Sequence, residues 1–458
     1  MPEKPFHVLI IGAGTGGMAL AHALKNNGVS VAVYERDRTR VDFLQGHRVG
    51  INPEGTRALR ACLSPELFDT FVATCAAPMR RGNLYTEKLT ELISLEFPLD
   101  RDALDSEKSV SRVTLKQLLR TGVDDILHFG KYFTHYEHEA DGRITAHFED
   151  GSTATGDVLV AADGTRSRVR EQYLPHATLD DAEMAGAAGK VPLDDEVRAL
   201  LPPHMTEGMS IILAPRGRFF ILHTMEFPWD EHRRPKNGIG EQDADLLAAW
   251  PGLQFDNTTD HLIWGIALPP GLSPAGLAEA AGEEVIEIAK EMAAGWSPVL
   301  HRLFELSDPT TCAVSTRQST SVPVPAWETS TVTLLGDAIH TMTPGRGVGA
   351  NTALKDARLL AERLVAAHRG ETGLVEGIHE YEAQMIEYGF DAVRESLKFY
   401  GKDNPLNGRV GGRTLLALFR GGARTVQALP PLKRKLVHRM LAGRGARTPD
   451  RPGRSSTR

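Results

Sequence analysis

A glycine-rich turn near the start of the chain has the spacing of a dinucleotide site. Gly12, Gly14 and Gly17 follow an apolar run directly and precede a small, apolar segment. The first glycine permits a tight turn, the second lets a pyrophosphate approach the backbone, and the third lets a helix pack closely on a sheet. Glu35 ends the next apolar run, where a carboxylate accepts hydrogen bonds from ribose hydroxyls. We therefore predict a bound dinucleotide, NAD or FAD, in preference to a turn without a ligand.

A second turn stands in the middle of the chain. The buried-looking run 158–161 leads to Asp163 and Gly164. Alone, an Asp-Gly pair after a strand indicates only a turn. If the run is a parallel strand that leaves the sheet at the same edge as Gly12, this loop lies beside the dinucleotide.

A third turn has both a carboxylate and a glycine-rich helix start. Asp337 follows an apolar run, Pro344 fixes the loop, and Gly347 to Gly349 lead into an alanine-rich helix. The carboxylate could bond a sugar or ribityl hydroxyl, and the N–H groups at the helix start could hold an anionic or electron-rich group. Taken by itself, the stretch is more typical of a strand-loop-helix crossover than of a binding site.

Together the three stretches resemble the class A flavin-dependent monooxygenases of the para-hydroxybenzoate hydroxylase type. That family pairs an N-terminal GxGxxG and ribose acid with a mid-chain DG motif and a C-terminal GD motif, which is matched here from Gly336 to Ala357. The segment 111–119, SRVTLKQLL, adds a fourth match, in which Arg112 falls where the family places an arginine near FAD. The resemblance covers about residues 6–400. At Val348 many relatives have Gln, so the role of that side chain is unassigned.

The resemblance implies FAD as the resident cofactor, with NADPH or NADH and O₂ as co-substrates. The implied cofactor-binding residues are Gly12, Gly14, Gly17, Glu35, Arg36, Arg48, Arg112, Asp163, Gly164, Asp337, Pro344, Gly347, Val348 and Gly349.

The implied reaction is hydroxylation or epoxidation of an aromatic or polycyclic small molecule, natural products included, through a C4a-hydroperoxyflavin. His223 and Arg346 are the candidate catalytic residues, because His223 follows a likely strand of the second domain and Arg346 lies in the flavin loop. Arg48, Trp264 and His340 are further candidate substrate contacts. Two alternatives remain open: a flavin oxidase or prenyl-chain reductase on the same scaffold, and a non-catalytic FAD-binding protein.

These motifs require an α/β (mixed α+β) fold in which a Rossmann-like FAD-binding domain carries an inserted mixed β-sheet domain and C-terminal helices. Over about residues 179–323, short strand-like runs lie between loops that contain Pro, Gly and Trp, and the pattern of the first residues returns at Thr331. We predict a discontinuous FAD-binding domain at 1–80, 98–178 and 324–400, a substrate-binding domain at 81–97 and 179–323, and a basic helical region with a disordered end at 401–458.

The distribution of charge along the sequence bears on which kinds of partner the protein could bind. Residues 402–458 carry fourteen Lys and Arg against two Asp, so the remaining chain must carry −19 to reach the total of −7. So acidic a body argues against nucleic acid as a partner. We expect the basic helices to pack on this body; contact with an anionic membrane or a partner is the alternative. A monomer or a homodimer is expected.

The three cysteines follow no metal or disulfide spacing, which indicates a reducing compartment. With no signal-peptide pattern at the start and no long apolar run, we expect a cytoplasmic protein. The polar stretch His135 to His138 is too isolated for a convincing metal site, so no metal is predicted.

Overall fold

The computed structural model describes residues 6–39, 47–99, 104–229, 259–269, 272, 274, 276–315, 318–343, 347–400, 405–408 and 411–445. Pro344 and Arg346 lie outside the described residues. The strands are β1 (His7–Ile11), β2 (Ser30–Tyr34), β3 (Arg48–Ile51), β4 (Arg81–Tyr85), β5 (Glu91–Glu96), β6 (Lys108–Ser111), β7 (Leu127–His128), β8 (Phe133–His138), β9 (Ile144–Phe148), β10 (Thr153–Gly156), β11 (Val158–Ala161), β12 (Leu179–Asp181), β13 (Ala185–Pro192), β14 (Gly208–Leu213), β15 (Phe219–Met225), β16 (His261–Leu268), β17 (Asp308–Ser315), β18 (Ser319–Ser321) and β19 (Val332–Leu334). The α-helices are α1 (Thr15–Asn26), α2 (Pro53–Cys62), α3 (Pro65–Ala73), α4 (Arg112–Leu119), α5 (Arg168–Tyr173), α6 (Asp195–Leu200), α7 (Glu283–Met292), α8 (Pro298–Glu305), α9 (Asp337–His340), α10 (Gly349–His368), α11 (Leu374–Tyr400), α12 (Gly411–Ala428) and α13 (Pro430–Gly443).

A five-stranded parallel sheet in the order β19-β11-β1-β2-β7 forms the first half of the molecule. Apart from His7 and Ser30 at the strand starts, its central strands β11, β1 and β2 are apolar and mostly buried, as expected for a parallel sheet that is covered on both faces. β1 pairs in parallel with both β11 and β2, and Ile11 lies opposite Ala161 and Tyr34. The loops after β1, β2, β11 and β19 therefore leave the sheet at one edge, as the sequence-based argument for the DG loop requires.

A seven-stranded mixed sheet in the order β17-β13-β16-β15-β14-β4-β5 forms the second half. β4 and β5 form an antiparallel hairpin within residues 81–97, and the parallel pairing of β4 with β14 joins this hairpin to the sheet. One face packs under α7 and α8 around Phe220 and Trp264. On the opposite face, apolar side chains such as Met209 and Ile221 remain half-buried.

Three smaller sheets and the last helices complete the fold. The small sheets are β3-β6, β10-β9-β8 and β12-β18. The helices α12 and α13 both pack against β5, and Arg420 donates to the carbonyl of Leu213 at 2.8 Å. Among the described residues, no helix has the length and apolarity needed to cross a membrane. The expected α/β class, with a parallel sheet, a mixed sheet and C-terminal helices, is confirmed.

Candidate functional site

The site is a cleft of about 770 Å³ that runs along the edge of the parallel sheet and ends against the mixed sheet. Its walls come from the loops after β1, β2, β11 and β19, from β3, and from the first turns of α4 and α10. Met209 and Ile221 of the mixed sheet close one end. One cleft therefore joins all three glycine-rich turns to the apolar face of the second sheet.

The first turn is shaped by close backbone contacts. Gly12 has φ +106°, and a Cβ there would lie 2.4 Å from the carbonyl oxygen of Ala162. A Cβ on Gly17 would lie 2.4 Å from the carbonyl oxygen of Gly12. Gly14 differs, since the nearest atom to a Cβ there is 3.9 Å away. It precedes α1, whose first turn has no side-chain cap, so N–H groups remain free to bind an anion.

Glu35 orders this turn as well as facing the cleft. Its carboxylate accepts hydrogen bonds from the N–H of Ala13 at 2.6 Å and of Asp37 at 2.9 Å. Arg36, the next residue, is exposed and also lines the cleft. A carboxylate held by two backbone donors keeps lone pairs for further donors such as ribose hydroxyls.

Three further charged side chains, Asp37, Lys116 and Arg120, form an ion-pair cluster close to Glu35. Asp37 accepts hydrogen bonds from Lys116 Nζ at 2.9 Å and from Arg120 Nη2 at 3.0 Å. Burial alone would raise the pKa of Asp37, but these hydrogen bonds and the two positive charges outweigh it and hold the pKa below its ordinary value. Only 1% of the Arg120 side chain is exposed, so a buried ion pair connects the residue after α4 to the segment that follows β2.

The DG loop after β11 lies beside Gly12. Asp163 accepts from the N–H of Arg168 at 2.9 Å through Oδ2, while its buried Oδ1 has no hydrogen-bond partner. Burial raises the pKa of this carboxyl. Gly164, at φ +78°, lines the cleft, and no atom lies within 4 Å of a Cβ there. A buried carboxylate oxygen that lacks a donor indicates that a ligand supplies one.

The GD loop after β19 is supported by a buried polar network. Asp356 of α10 accepts hydrogen bonds from the N–H of Gly336 at 2.7 Å, from Tyr388 Oη at 2.5 Å, and pairs with His340 Nε2 at 2.7 Å. Asp337 is exposed on the cleft wall in front of this network. Loss of water around the carboxyl group raises the pKa of Asp337, and the negative charge of Asp356 adds to the rise. The positive charges of His340 and Arg112 oppose it.

The first turn of α10 opens onto the same cleft. Val348 precedes the helix without a side-chain cap, and Gly347 and Gly349 line the cleft. Asn351 holds this turn in place by donating to the carbonyls of Gly50 at 2.8 Å and Gly347 at 3.0 Å. The free N–H groups of the helix therefore face the cleft with the positive end of its dipole.

At the mixed-sheet end, arginines face the cleft. Arg48 donates to Ser109 Oγ at 2.8 Å and pairs with Glu107 at 3.3 Å, and Arg444, beyond α13, pairs with the same Glu107. Ser109 also bonds His223 Nε2 at 3.0 Å. Burial and the charges of both arginines hold the pKa of His223 well below its ordinary value, so this imidazole is neutral.

Comparison with known proteins agrees with this geometry. Residues 6–251 and 301–396 match the family model described as FAD binding domain. The chain belongs to this FAD-binding family. The predicted resemblance and the predicted cofactor, FAD, are confirmed.

Relatives of known description differ in length. The chain is 30% identical over 396 residues to a dual O-methyltransferase/FAD-dependent monooxygenase from Phaeosphaeria nodorum, over 78% of this chain and 40% of that protein. The chain thus spans less than half the length of the first curated relatives that it matches. It is 28% identical over 414 residues to the FAD-dependent urate hydroxylase of Klebsiella pneumoniae, over 87% of this chain and 91% of that protein.

Solved structures share the fold. A putative FAD-containing monooxygenase from Photorhabdus luminescens is 32% identical, with a TM-score of 0.73 over 86% of this chain and 96% of that one. The Klebsiella pneumoniae HpxO complex with FAD and uric acid has a TM-score of 0.71 at 22% identity, over 96% and 97% of the two chains.

The residues present fit FAD. The cleft offers a glycine turn, two uncapped helix starts, the unpartnered Oδ1 of Asp163 and the exposed carboxylate of Asp337. The structure brings together the described predicted residues along one cleft: Gly12, Gly14, Gly17, Glu35, Arg36, Arg48, Arg112, Asp163, Gly164, Asp337, Gly347 and Gly349. Val348 immediately precedes α10.

The candidate substrate contacts divide between the cleft and the interior. Trp264 is buried in the core under α7 and α8, where its Nε1 donates to Ser307 at 2.8 Å. His340 is buried against Asp356. His223 is buried beside Ser109, behind the cleft wall that Arg48 and Ile221 form. Of this group, Arg48 is the residue that lines the cleft.

Sequence reasoning missed several supporting residues. Lys116 and Arg120 follow the predicted Arg112 at intervals of four residues, a spacing that places them on one helix face and could have drawn attention to an acidic partner. Asp356 and Asn351 lie within the matched C-terminal motif, where their own roles had no assignment. Arg444 offered no signal, because only the packing of α13 brings the basic tail back to the cleft.

Proposed function

We propose that the protein is a single-component FAD-dependent monooxygenase that uses NAD(P)H and O₂ to hydroxylate or epoxidise an aromatic or polycyclic small molecule. Several similar proteins are described as FAD-dependent monooxygenases. One is described as a urate hydroxylase, and a structurally similar protein, Klebsiella pneumoniae HpxO, was solved in complex with FAD and uric acid. Because the first curated relatives are more than twice as long as the stretch matched here, the proposal concerns this reaction alone.

The observation that supports this most is the meeting of the two sheets at one cleft. The GD loop and the α10 start lie at the same cleft as Met209 and Ile221 of the mixed sheet. An apolar wall there excludes water from the reacting end of the cofactor. A cleft built only to store FAD has no need of such a wall beside its reactive end.

Bound FAD supplies the redox chemistry, taking electrons from the nicotinamide and activating O₂. The chain's own groups bind and orient it. Backbone N–H groups at the starts of α1 and α10 face the two ends of the cleft, where each stabilises negative charge. Asp163 and Asp337 would accept hydrogen bonds from hydroxyl or amide groups of the cofactor, and Glu35 would accept from a ribose hydroxyl.

The substrate lies between the apolar face of the mixed sheet and the α10 start. Arg48 is the cation at this end whose position is best defined, because Ser109 and Glu107 both hold its guanidinium. His223 acts through Ser109, so we propose it as a positioning residue for Arg48. Arg346 stays a proposed catalytic residue from the motif alone.

The direct test is oxygen incorporation. The purified holoprotein, NADPH or NADH and a panel of phenols, purines and polycyclic aromatics are incubated under isotopically labelled O₂. We expect at least one compound to accelerate NAD(P)H oxidation and to gain one labelled oxygen atom.

Other outcomes would identify the alternatives. Hydrogen peroxide released in proportion to a dehydrogenated product would indicate a flavin oxidase. Saturation of a prenyl chain without labelled oxygen would indicate a reductase. A flavin that neither nicotinamide reduces, with or without any compound of the panel, would indicate a non-catalytic FAD-binding protein.

A further inference from the structure

Three side chains with metal-ligating atoms meet on the outer face of the β8–β9 hairpin. Glu137 follows His135 by two residues in β8, so both side chains lie on one face, and β9 pairs His147 directly opposite His135. The ligating atoms of the three side chains all lie within 4.8 Å of one another. None of the three lines the cofactor cleft.

The distances between these atoms leave space for an ion. Glu137 Oε1 lies 3.9 Å from His135 Nε2, and Glu137 Oε2 lies 3.5 Å from His147 Nε2. The two imidazole rings stack in parallel, 4.3 Å apart. Both nitrogen–oxygen distances exceed a good hydrogen bond. His147 Nε2 is also buried and has no hydrogen-bond partner, although its ring is partly exposed.

The hydrogen bonds of Thr134 define which nitrogen of His135 is available. Thr134 Oγ1 donates its only proton to the carbonyl of His147 at 3.0 Å and lies 3.1 Å from His135 Nδ1. The hydroxyl can therefore only accept from Nδ1, which must carry the ring proton. In the neutral ring the lone pair is therefore on Nε2, the atom that lies 3.9 Å from Glu137 Oε1. A metal ion can bind this nitrogen and the carboxylate together.

A ligating histidine usually donates its other ring N–H to an oxygen acceptor, which fixes the tautomer, and the hydroxyl of Thr134 is placed to be that acceptor. Two imidazole nitrogens and one carboxylate are typical ligands of Zn²⁺ and its neighbours in the transition series, whereas Mg²⁺ and Ca²⁺ prefer oxygen alone. Half-exposed ligands leave room for water at a fourth position.

We propose that His135, Glu137 and His147 form a surface site for a divalent transition-metal ion, Zn²⁺ in the first instance. The bound ion ties β8 to β9 through their side chains. β8 begins at Phe133, which lines the cofactor cleft together with Lys131 and Tyr132, so the ion stabilises a strand that contributes to the cleft wall. The sequence pattern alone did not predict it, because only strand pairing brings His147 beside His135.

The test is metal binding by the FAD-loaded protein without an affinity tag. After chelator treatment and desalting, ZnCl₂ is titrated by calorimetry into wild type, His147→Gln, His135→Gln and His138→Gln. His138 is the matched control, since it is an exposed histidine of the same strand whose ring contacts Tyr136 instead. We expect one Zn²⁺ per chain in wild type and His138→Gln, and loss of that site in both other variants.

A second measurement keeps the proposal testable if a variant folds poorly. Zn²⁺ should raise the Tm of wild type and His138→Gln, and EDTA should reverse the rise. Cu²⁺ bound to wild type should show hyperfine coupling to two nitrogens in its electron paramagnetic resonance spectrum. No zinc binding by wild type, or equal binding by His147→Gln and His135→Gln, would overturn the proposal.

Discussion

Two of the strand-loop-helix junctions that face the cleft are stabilised in different ways. The junction of β1 with α1 is a steric fit, in which Gly12 and Gly17 leave no room for a Cβ. The junction of β19 with α9 and α10 is held by a buried polar network centred on Asp356. Substitutions that enlarge a side chain should therefore destabilise the first junction most. Substitutions that remove a charge or a hydrogen bond should destabilise the second junction most.

The largest expected effect is at the second junction. Asp356→Ala removes the acceptor of Gly336, His340 and Tyr388 together and leaves buried polar groups unpaired. We expect the free energy of unfolding to fall by about 3–5 kcal/mol, as for other broken buried pairs. Urea denaturation followed by circular dichroism measures it. A loss below about 1 kcal/mol would mean that the network does not support the loop.

Added volume at the first junction is the next test. Gly12→Ala places a Cβ 2.4 Å from the carbonyl oxygen of Ala162 and strains a backbone at φ +106°. We expect a loss of about 3 kcal/mol in the free energy of unfolding. Gly14→Ala is the control, because its Cβ would lie 3.9 Å from the nearest atom, an ordinary van der Waals distance, and φ is −76°. Equal destabilisation by both substitutions would contradict the steric account.

A smaller effect that distinguishes the two junctions is the pH dependence of the free energy of unfolding, which involves His340 of the second junction. Burial would lower the pKa of His340, but the charge of Asp356 and its hydrogen bond outweigh it, and Asp337 adds to the rise above 6.5. A raised histidine pKa contributes stability that is fully present below pH 6.5 and is lost as pH rises through the folded-state pKa. The stability difference between wild type and His340→Gln should therefore shrink from pH 6 to pH 9.

Chemical denaturation across that pH range measures the difference. Subtracting the stability of the variant from that of wild type removes the contributions of His22 and His223. Burial lowers the pKa values of these two histidines, so their contributions change with pH in the opposite direction. Gly12→Ala should show no such pH dependence relative to wild type. A difference that grows with pH would contradict the assignment.

The two junctions were also unequally predictable from the sequence. Glycine spacing predicts the first because its contacts are backbone contacts, local in sequence or made across neighbouring parallel strands. The sequence motif predicts the position of the second junction. It does not predict the polar network that supports this junction, because Tyr388 of that network lies on another helix. Asp37, Lys116 and Arg120 were missed for the same reason: partners about 80 residues apart meet only after folding.

The central claim is that the two junctions bind opposite ends of one FAD. The most direct test uses calorimetry to measure the dissociation constants of FAD and of ADP. The proteins compared are the apoproteins of wild type, Asp337→Ala and Glu35→Gln. We predict that Asp337→Ala keeps its fold and weakens FAD binding by about tenfold or more, roughly one charge-assisted hydrogen bond. It should leave ADP binding unchanged, whereas Glu35→Gln should weaken both ligands alike. Full FAD affinity in Asp337→Ala, or an equal loss of ADP affinity, would contradict the account.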